Sequence, residues 1–144
     1  MERARRGSET AAGPFYFSPA RFARSRFGAP VFRVVIDAGF SCPVRDGAIA
    51  VGGCRFCSIE GFRPPTGVPR LPVREQIARA LPRLRARYPG AVGFLVYLQP
   101  YTNTYGDPAR LAAVLDEARA TPGAVGIVIG TRPDALPEPI LDLL

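Results

Sequence analysis

Three short apolar runs alternate with segments of helical spacing along this chain, and this alternation limits its fold more than any other feature. The runs cover residues 31–38, 91–99 and 125–131, and helical spacing follows at residues 73–87 and 108–120. Because repeated strand–helix units give a parallel sheet with right-handed crossovers, we predict an α/β fold with three parallel strands. The mostly apolar runs further predict a sheet that is buried on both faces.

Local signals mark where several elements begin and end. Ser18-Pro19 and Asp107-Pro108 each offer a capping side chain followed by a first-turn proline, so each predicts a helix start. Pro137 is expected to open a last helix. Between the first strand and the next helix lies a loop over residues 39–72, rich in glycine and proline. A loop longer than about 12–15 residues in a compact domain is usually functional or disordered, and we interpret this one as functional.

The length of 144 residues suits a single domain. No apolar run approaches the roughly 20 residues of a membrane span, and the basic start is not followed by a signal-type apolar core. We therefore expect a cytoplasmic protein without membrane association. A disordered basic tail over residues 1–14 is expected to precede one domain over residues 15–144. Since three strands are few for a covered or closed parallel sheet, we expect this domain to be incomplete at its C-terminus.

The absence of histidine excludes several kinds of catalytic and metal site, and the arginines are concentrated near the start of the chain. The chain has no histidine, so it lacks a Ser-His-Asp triad, a Cys-His dyad and histidine-ligated zinc. Its net charge is +7, and seven arginines lie between Arg3 and Arg33, against only Glu2 and Glu9 in the first thirty residues. This cluster fits either a solvated tail with one amphipathic helix or a surface for RNA or another polyanion.

Three cysteines, Cys42, Cys54 and Cys57, lie in the long loop with the spacing C-x11-C-x2-C. An odd number without a signal peptide argues against disulfides and for reduced thiolates. Three thiolates suit iron–sulfur ligation, and a [4Fe–4S] cluster held this way keeps one iron open for a small molecule. The alternatives are structural zinc completed by Asp37 or Asp46, a C-x-x-C redox pair, and ordinary buried cysteines.

At these residues the sequence resembles the radical S-adenosylmethionine (SAM) superfamily, and within it the YhcC-like family of uncharacterised bacterial proteins, related to the Elongator catalytic subunit. Phe56, before the last cysteine, matches the aromatic residue usual there. The resemblance is carried by IDAGFSCPVRDG (36–47), GGCRFCS (52–58), YLQPYTNTYGDP (97–108) and GIVIGTRPDALPEPILDLL (126–144). It implies that the chain is the N-terminal portion, about three βα units, of a partial (β/α)6 barrel, and that the other part of the barrel is missing.

The resemblance also implies an enzyme. Cys42, Cys54 and Cys57 would hold a [4Fe–4S] cluster, and SAM would bind the open iron. Reduction by a partner such as flavodoxin or ferredoxin would cleave SAM to a 5′-deoxyadenosyl radical, which takes hydrogen from an unknown substrate, with RNA as one candidate. The alternative from another class is a non-catalytic module that binds zinc through its cysteines, or a polyanion such as RNA.

Side chains that follow the strands are the implied SAM contacts. Phe56 would pack on the adenine. Where the superfamily has a Gly-Gly-Glu-type motif, this chain has polar residues after its second strand, and after the third strand Gly130 replaces a glutamate of the Elongator-like branch. The expected contacts there are Gln99, Tyr101, Thr102, Asn103, Thr131 and Arg132. As alternatives, the Thr and Asn side chains would cap the next helix, and Arg132 would pair with Asp134 or Glu138.

Overall fold

A computed structural model describes residues 16–58, 61 and 71–144. The predicted disordered tail over residues 1–14 lies outside the described residues. The elements in chain order are α1 (Pro19–Phe27), β1 (Val31–Ile36), α2 (Val73–Arg87), β2 (Gly93–Leu98), α3 (Pro108–Arg119), β3 (Ala124–Ile129), a 3-10 turn (Pro133–Ala135) and α4 (Glu138–Leu141). The predicted α/β class is confirmed. In the described ranges, no helix is both long enough and apolar enough to cross a membrane.

The strands form one parallel sheet in the order β1-β2-β3, as the strand–helix alternation predicts. Val31 pairs with Gly93 at one end of β1, and Ile36 pairs with Leu98 at the other. On the other side of β2, Leu98 pairs with Ile129. The carboxyl ends of all three strands therefore meet at the same edge of the sheet.

Both predicted helix starts are confirmed in atomic detail. The Ser18 side chain accepts a hydrogen bond from the Arg21 backbone N–H at 3.2 Å, at the start of α1. The Asp107 carboxylate accepts one from the Ala109 N–H at 3.0 Å, at the start of α3. Each cap satisfies a backbone donor that has no partner within the first helical turn.

The core lies on one face of the sheet. Alternate strand residues point into it and are buried, together with apolar side chains of α2 and α3: Phe32, Val34, Ile36, Ile77, Phe94, Val96, Leu98, Leu111 and Leu115. On the opposite face Arg33 is exposed, and Val35, Leu95 and Tyr97 are half-buried. The prediction of burial on both faces is therefore wrong for the described residues, because α2 and α3 cover the same face.

Gln76 of α2 fixes the end of β1. Its side-chain oxygen accepts the Asp37 backbone N–H at 2.9 Å, and its side-chain nitrogen donates to the Asp37 carbonyl at 2.8 Å. The same nitrogen donates to the Leu71 carbonyl at 3.0 Å. Because Asp37 begins the cysteine-bearing loop and Leu71 ends it, one buried side chain holds both ends of that loop together.

Candidate functional site

The three cysteines line a single cavity of about 420 Å³ at the carboxyl edge of the sheet. The loop after β1 contributes all three of them. Residues that follow β2 and β3 complete the lining: Gln99, Tyr101, Thr102, Thr131 and Arg132. This volume lies within the range of about 300–1,000 Å³ that is common for small-molecule sites. The structure thus brings together nine of the ten predicted site residues, Phe56 included, and Asn103 is the exception.

A compact hairpin brings Cys54 back towards Cys42. The Arg45 N–H donates to the Cys42 carbonyl at 2.8 Å, and an antiparallel bridge joins Asp46 to Val51. Gly53 then donates its N–H to the Val44 carbonyl at 2.8 Å. These bonds, made within the segment of eleven residues between the two cysteines, explain how sulfurs so far apart in sequence reach one cavity.

Arg45 joins the two arms of this cysteine loop, and spacing alone does not identify it as a site residue. Its guanidinium lies so close to Gly53 that a Cβ built there would be 2.7 Å from the Arg45 Nε. The Gly53 φ of +85° also favours glycine. The Arg45 Nη2 donates to the Cys57 carbonyl at 3.4 Å. Arg45 therefore places a positive charge in the cavity wall beside the C-x-x-C segment.

Cys42 is the buried cysteine of the three, and a neighbouring hydroxyl hydrogen-bonds its sulfur. The Thr102 Oγ1 donates to the Cys42 Sγ at 3.2 Å, and both residues are buried. The Thr102 backbone N–H also donates to the Ser41 carbonyl at 3.1 Å. Cys54 and Cys57 are half-buried, so the three sulfurs have different environments.

Asn103 does not line the cavity. It is fully buried, and its side-chain nitrogen lies 3.0–3.1 Å from the carbonyl oxygens of Leu98, Pro100 and Gly130. Its side-chain oxygen has no hydrogen-bond partner among the described residues. These contacts tie the end of β2 to the end of β3, so Asn103 supports the cavity wall from behind. Its predicted contact with SAM stays a prediction.

Gly130 stands at the end of β3, where the resemblance led us to note a missing glutamate. A Cβ there would lie 3.0 Å from the Leu98 carbonyl oxygen and 3.2 Å from that of Gln99. The Gly130 N–H donates to the Leu98 carbonyl at 2.8 Å. A side chain at this position would therefore crowd the backbone at and just after the end of β2, which favours glycine.

Arg132 lines the cavity, and its guanidinium is held by a carboxylate. Its Nε and Nη2 donate to the two carboxylate oxygens of Asp134 at 2.9 and 2.7 Å. The hydrogen bond lowers the pKa of Asp134 and raises that of Arg132. Of the two alternatives, the ion pair with Asp134 is thus confirmed. The Thr131 hydroxyl is hydrogen-bonded to the Thr104 hydroxyl, which also donates to the Ala135 carbonyl.

The mouth of the cavity holds exposed and half-exposed side chains. Phe56 lines it with 87% of its surface exposed, so a bound molecule would cover an aromatic ring that is otherwise open to water. Tyr97 lines the same cavity from β2 and carries the Arg33 guanidinium over its ring, 5.7 Å from the centroid. Sequence reasoning missed Tyr97, although its alternate position in β2 places it opposite the core. Outside the cavity lining, burial and then the neighbouring Asp46 carboxylate raise the pKa of the Tyr105 hydroxyl.

The carboxylates weighed as a fourth zinc ligand are engaged elsewhere. Asp37 accepts the Gly39 N–H at 2.9 Å, at the start of the cysteine-bearing loop. Asp46 accepts the Ala48 N–H at 3.1 Å within the hairpin. In the part of the chain that the structure describes, no group of three or more Cys, Asp or Glu residues could hold a metal ion.

Comparison with known proteins finds similarity over most of this chain. It is 36% identical to the protein YhcC of Escherichia coli K12 over 119 residues, which are 83% of this chain and 37% of that protein. It is 36% identical over 121 residues to the uncharacterized protein YtqA of Bacillus subtilis, 84% of this chain and 37% of the relative. An uncharacterized protein of Methanocaldococcus jannaschii, MJ0486, is 31% identical over 127 residues.

The chain therefore spans 37% of the length of the curated relatives that it matches. No family model matches the chain. No solved structure matches it.

Proposed function

We propose that this chain is part of a radical SAM enzyme of the YhcC-like family, which binds a [4Fe–4S] cluster and SAM. The observation that carries the proposal is that three cysteines of one loop line a cavity together with residues that follow β2 and β3. The similarity to YhcC over 83% of the chain and the resemblance in the cysteine segments support the family. The proposed activity is that of a whole protein, since this chain matches only 37% of the length of YhcC.

The donor set suits the cluster. Cys42, Cys54 and Cys57 would be the iron ligands, and thiolates are the usual ligands of such clusters. The irons of a [4Fe–4S] cluster lie at separate corners, so each cysteine sulfur would bind a different iron. Three sulfurs around one cavity therefore suit the cluster even though they do not surround the position of a single metal ion. When bound, the cluster and SAM would supply the reaction: one electron from a flavodoxin- or ferredoxin-type reductant cleaves the S–C5′ bond, giving methionine and a 5′-deoxyadenosyl radical that takes a hydrogen atom from the substrate.

The other lining residues would bind SAM and keep water out. Gln99 and Tyr101 offer an amide and a hydroxyl at the end of β2, suited to the amino group of SAM. Thr131 lies across the cavity at the end of β3. The Arg132 guanidinium, oriented by Asp134, would attract the SAM carboxylate electrostatically. Phe56 would cover the adenine and exclude water from the cluster side of the cavity.

The strand order supports a barrel as the wider fold. Strands in sequential order with right-handed crossovers place each helix on the same face, and α2 and α3 share one core there. A doubly wound sheet instead reverses its strand order and carries helices on both faces. We therefore propose the N-terminal portion of a partial (β/α)6 barrel, with the open face of the sheet towards the barrel interior and the rest of the barrel outside this chain. A reducing cytoplasmic location belongs to the same proposal, because thiolate ligands must stay reduced.

A second candidate ligand is RNA or another polyanion, and the observations that favour it lie in residues 16–36. Residues 16–36 contain four arginines and no acidic residue. Phe17, Phe22 and Phe27 form an edge-to-face series with centroid distances of 6.4 and 6.5 Å, and Arg21 lies over the Phe17 ring. Arginines interleaved with aromatic rings suit single-stranded nucleic acid. Loss of affinity for single-stranded RNA in Arg21→Ala, with a reduced salt slope, would support this ligand, and equal affinity would refute it.

Anaerobic reconstitution of the chain with iron and sulfide tests the main proposal. We expect about four iron and four sulfide per chain, as a [4Fe–4S] cluster requires. Addition of SAM should change the electron paramagnetic resonance (EPR) signal of the reduced cluster. Cys57→Ala should lose the cluster, whereas the matched control Ser41→Ala, next to Cys42 in the same loop, should keep it. One zinc without sulfide would support the non-catalytic alternative and refute the proposal, as would a cluster whose signal SAM never alters.

A further inference from the structure

The Thr102 hydroxyl contacts a sulfur, although sequence reasoning assigned this residue to SAM. Its Oγ1 donates to the Cys42 Sγ at 3.2 Å, and Thr102 retains only 2% of its exposed surface. A buried hydroxyl with this partner cannot turn to another acceptor without leaving the sulfur. The contact links the end of β2 directly to the first cysteine, sixty residues earlier in the chain.

The loop around Thr102 is fixed from both sides. Tyr101, just before it, has a φ of +66°, a left-handed conformation that is unfavourable for a residue with a side chain. On the other side, buried Asn103 bonds the Leu98, Pro100 and Gly130 carbonyls. The Thr102 N–H is held by the Ser41 carbonyl, next to Cys42. The backbone is therefore strained at Tyr101, immediately before the residue whose hydroxyl donates to the Cys42 sulfur.

A hydrogen bond to a ligating sulfur has a defined electronic effect. It withdraws electron density from the thiolate and stabilises the more negative, reduced cluster more than the oxidised one. We propose that Thr102 is a positioning residue that acts through Cys42 and raises the reduction potential of the cluster. This inference rests on the proposed function, because it presumes that Cys42 ligates a [4Fe–4S] cluster.

The test measures the midpoint potential of the reconstituted chain by EPR-monitored titration with dithionite, without SAM. Thr102→Val removes the hydroxyl and keeps the volume. A hydrogen bond of typical net strength corresponds to about a fivefold change in the ratio of reduced to oxidised cluster. At 59 mV per tenfold for one electron, this is a shift of about 40 mV to more negative potential. Thr102→Ser keeps a hydroxyl and should stay near the wild-type potential.

Thr104→Val is the matched control. Thr104 lies in the same loop and is equally buried, but its hydroxyl bonds Thr131 and Ala135 rather than a sulfur. It should leave the potential unchanged. A full cluster at the wild-type potential in Thr102→Val would overturn the inference while leaving the proposed function intact. No cluster in the wild type would overturn both.

A measurement on the wild-type holoprotein covers the case in which Thr102→Val loses its cluster. Transfer to D2O replaces the hydroxyl proton and should shift an Fe–S(Cys) stretching frequency in the resonance Raman spectrum. Such a shift supports the hydrogen bond to the sulfur, and an unshifted spectrum overturns it.

Discussion

Gly53→Ala tests how Arg45 holds the two arms of the cysteine loop. The new methyl group would lie 2.7 Å from the Arg45 Nε and 2.9 Å from its Cζ and Nη2. Because real contacts are never that short, the guanidinium must move away, and its bond to the Cys57 carbonyl is lost. The φ of +85° adds backbone strain that glycine does not have.

The expected loss of stability has two parts. A left-handed conformation costs a residue with a Cβ about 1–2 kcal/mol. The Arg45 bond is long, at 3.4 Å, and half-buried, so we assign it about 1 kcal/mol, below the usual value for a charged donor. Gly53→Ala should therefore lower the free energy of unfolding by about 2–3 kcal/mol.

Gly52→Ala is the matched control, because its φ is +91° and nothing lies within 4 Å of the position of a new Cβ. It should cost only the backbone part, and any effect of alanine on the unfolded chain is common to both variants. Urea unfolding of the reduced chain, followed by circular dichroism, measures the difference. Equal losses of stability in both variants would refute the reasoning. The excess loss of Gly53→Ala over Gly52→Ala should also disappear when Arg45→Ala is introduced as well, and its persistence would refute the reasoning too.

Three further predictions concern the support of the site. Gln76→Leu removes the two hydrogen bonds to the buried Asp37 backbone, and at about 1–3 kcal/mol for each of these two groups it should cost about 2–6 kcal/mol in urea unfolding; a loss below about 1 kcal/mol would contradict this. Since Arg132 lowers the pKa of Asp134, the pair stabilises the fold above the ordinary aspartate pKa and is lost as pH falls through the lowered one. As pH falls below the ordinary aspartate pKa, the difference in unfolding midpoint between wild type and Asp134→Asn should therefore shrink. A difference that stays constant with pH would speak against this. Gly130→Ala crowds the carbonyl oxygens at the end of β2 and should cost about 1–3 kcal/mol, which thermal unfolding can check.

The elements that the sequence predicts well are those with local signals. Ser18-Pro19 and Asp107-Pro108 begin α1 and α3 because a cap acts on the next few residues. The strands are shorter than their apolar runs, and β1 ends at Ile36 rather than at residue 38. The reason is not local, since the Asp37 backbone bonds Gln76, 39 residues away, instead of continuing the ladder.

The candidate site was predictable in its residue types, but its contacts were not, apart from the Arg132–Asp134 ion pair. Cysteine spacing identified the three sulfurs, and the family resemblance pointed to Gln99 and Thr131 at strand ends, where side chains lie at one edge of a parallel sheet. The positions of Arg45 and Thr102 depend on a hairpin and on a strained turn. Both arise from backbone bonds between segments that spacing cannot relate.

The hydrogen bonds of the Gln76 side chain hold the two ends of the cysteine-bearing loop together at the end of β1. Its two anchor points, Asp37 and Leu71, are held by hydrogen bonds to the same side chain. Adding residues to a tethered loop is inexpensive, since each doubling of its length costs only about 0.6 kcal/mol. A change in the length of the loop between Asp37 and Leu71 would therefore leave the end of β1 and the start of α2 in place.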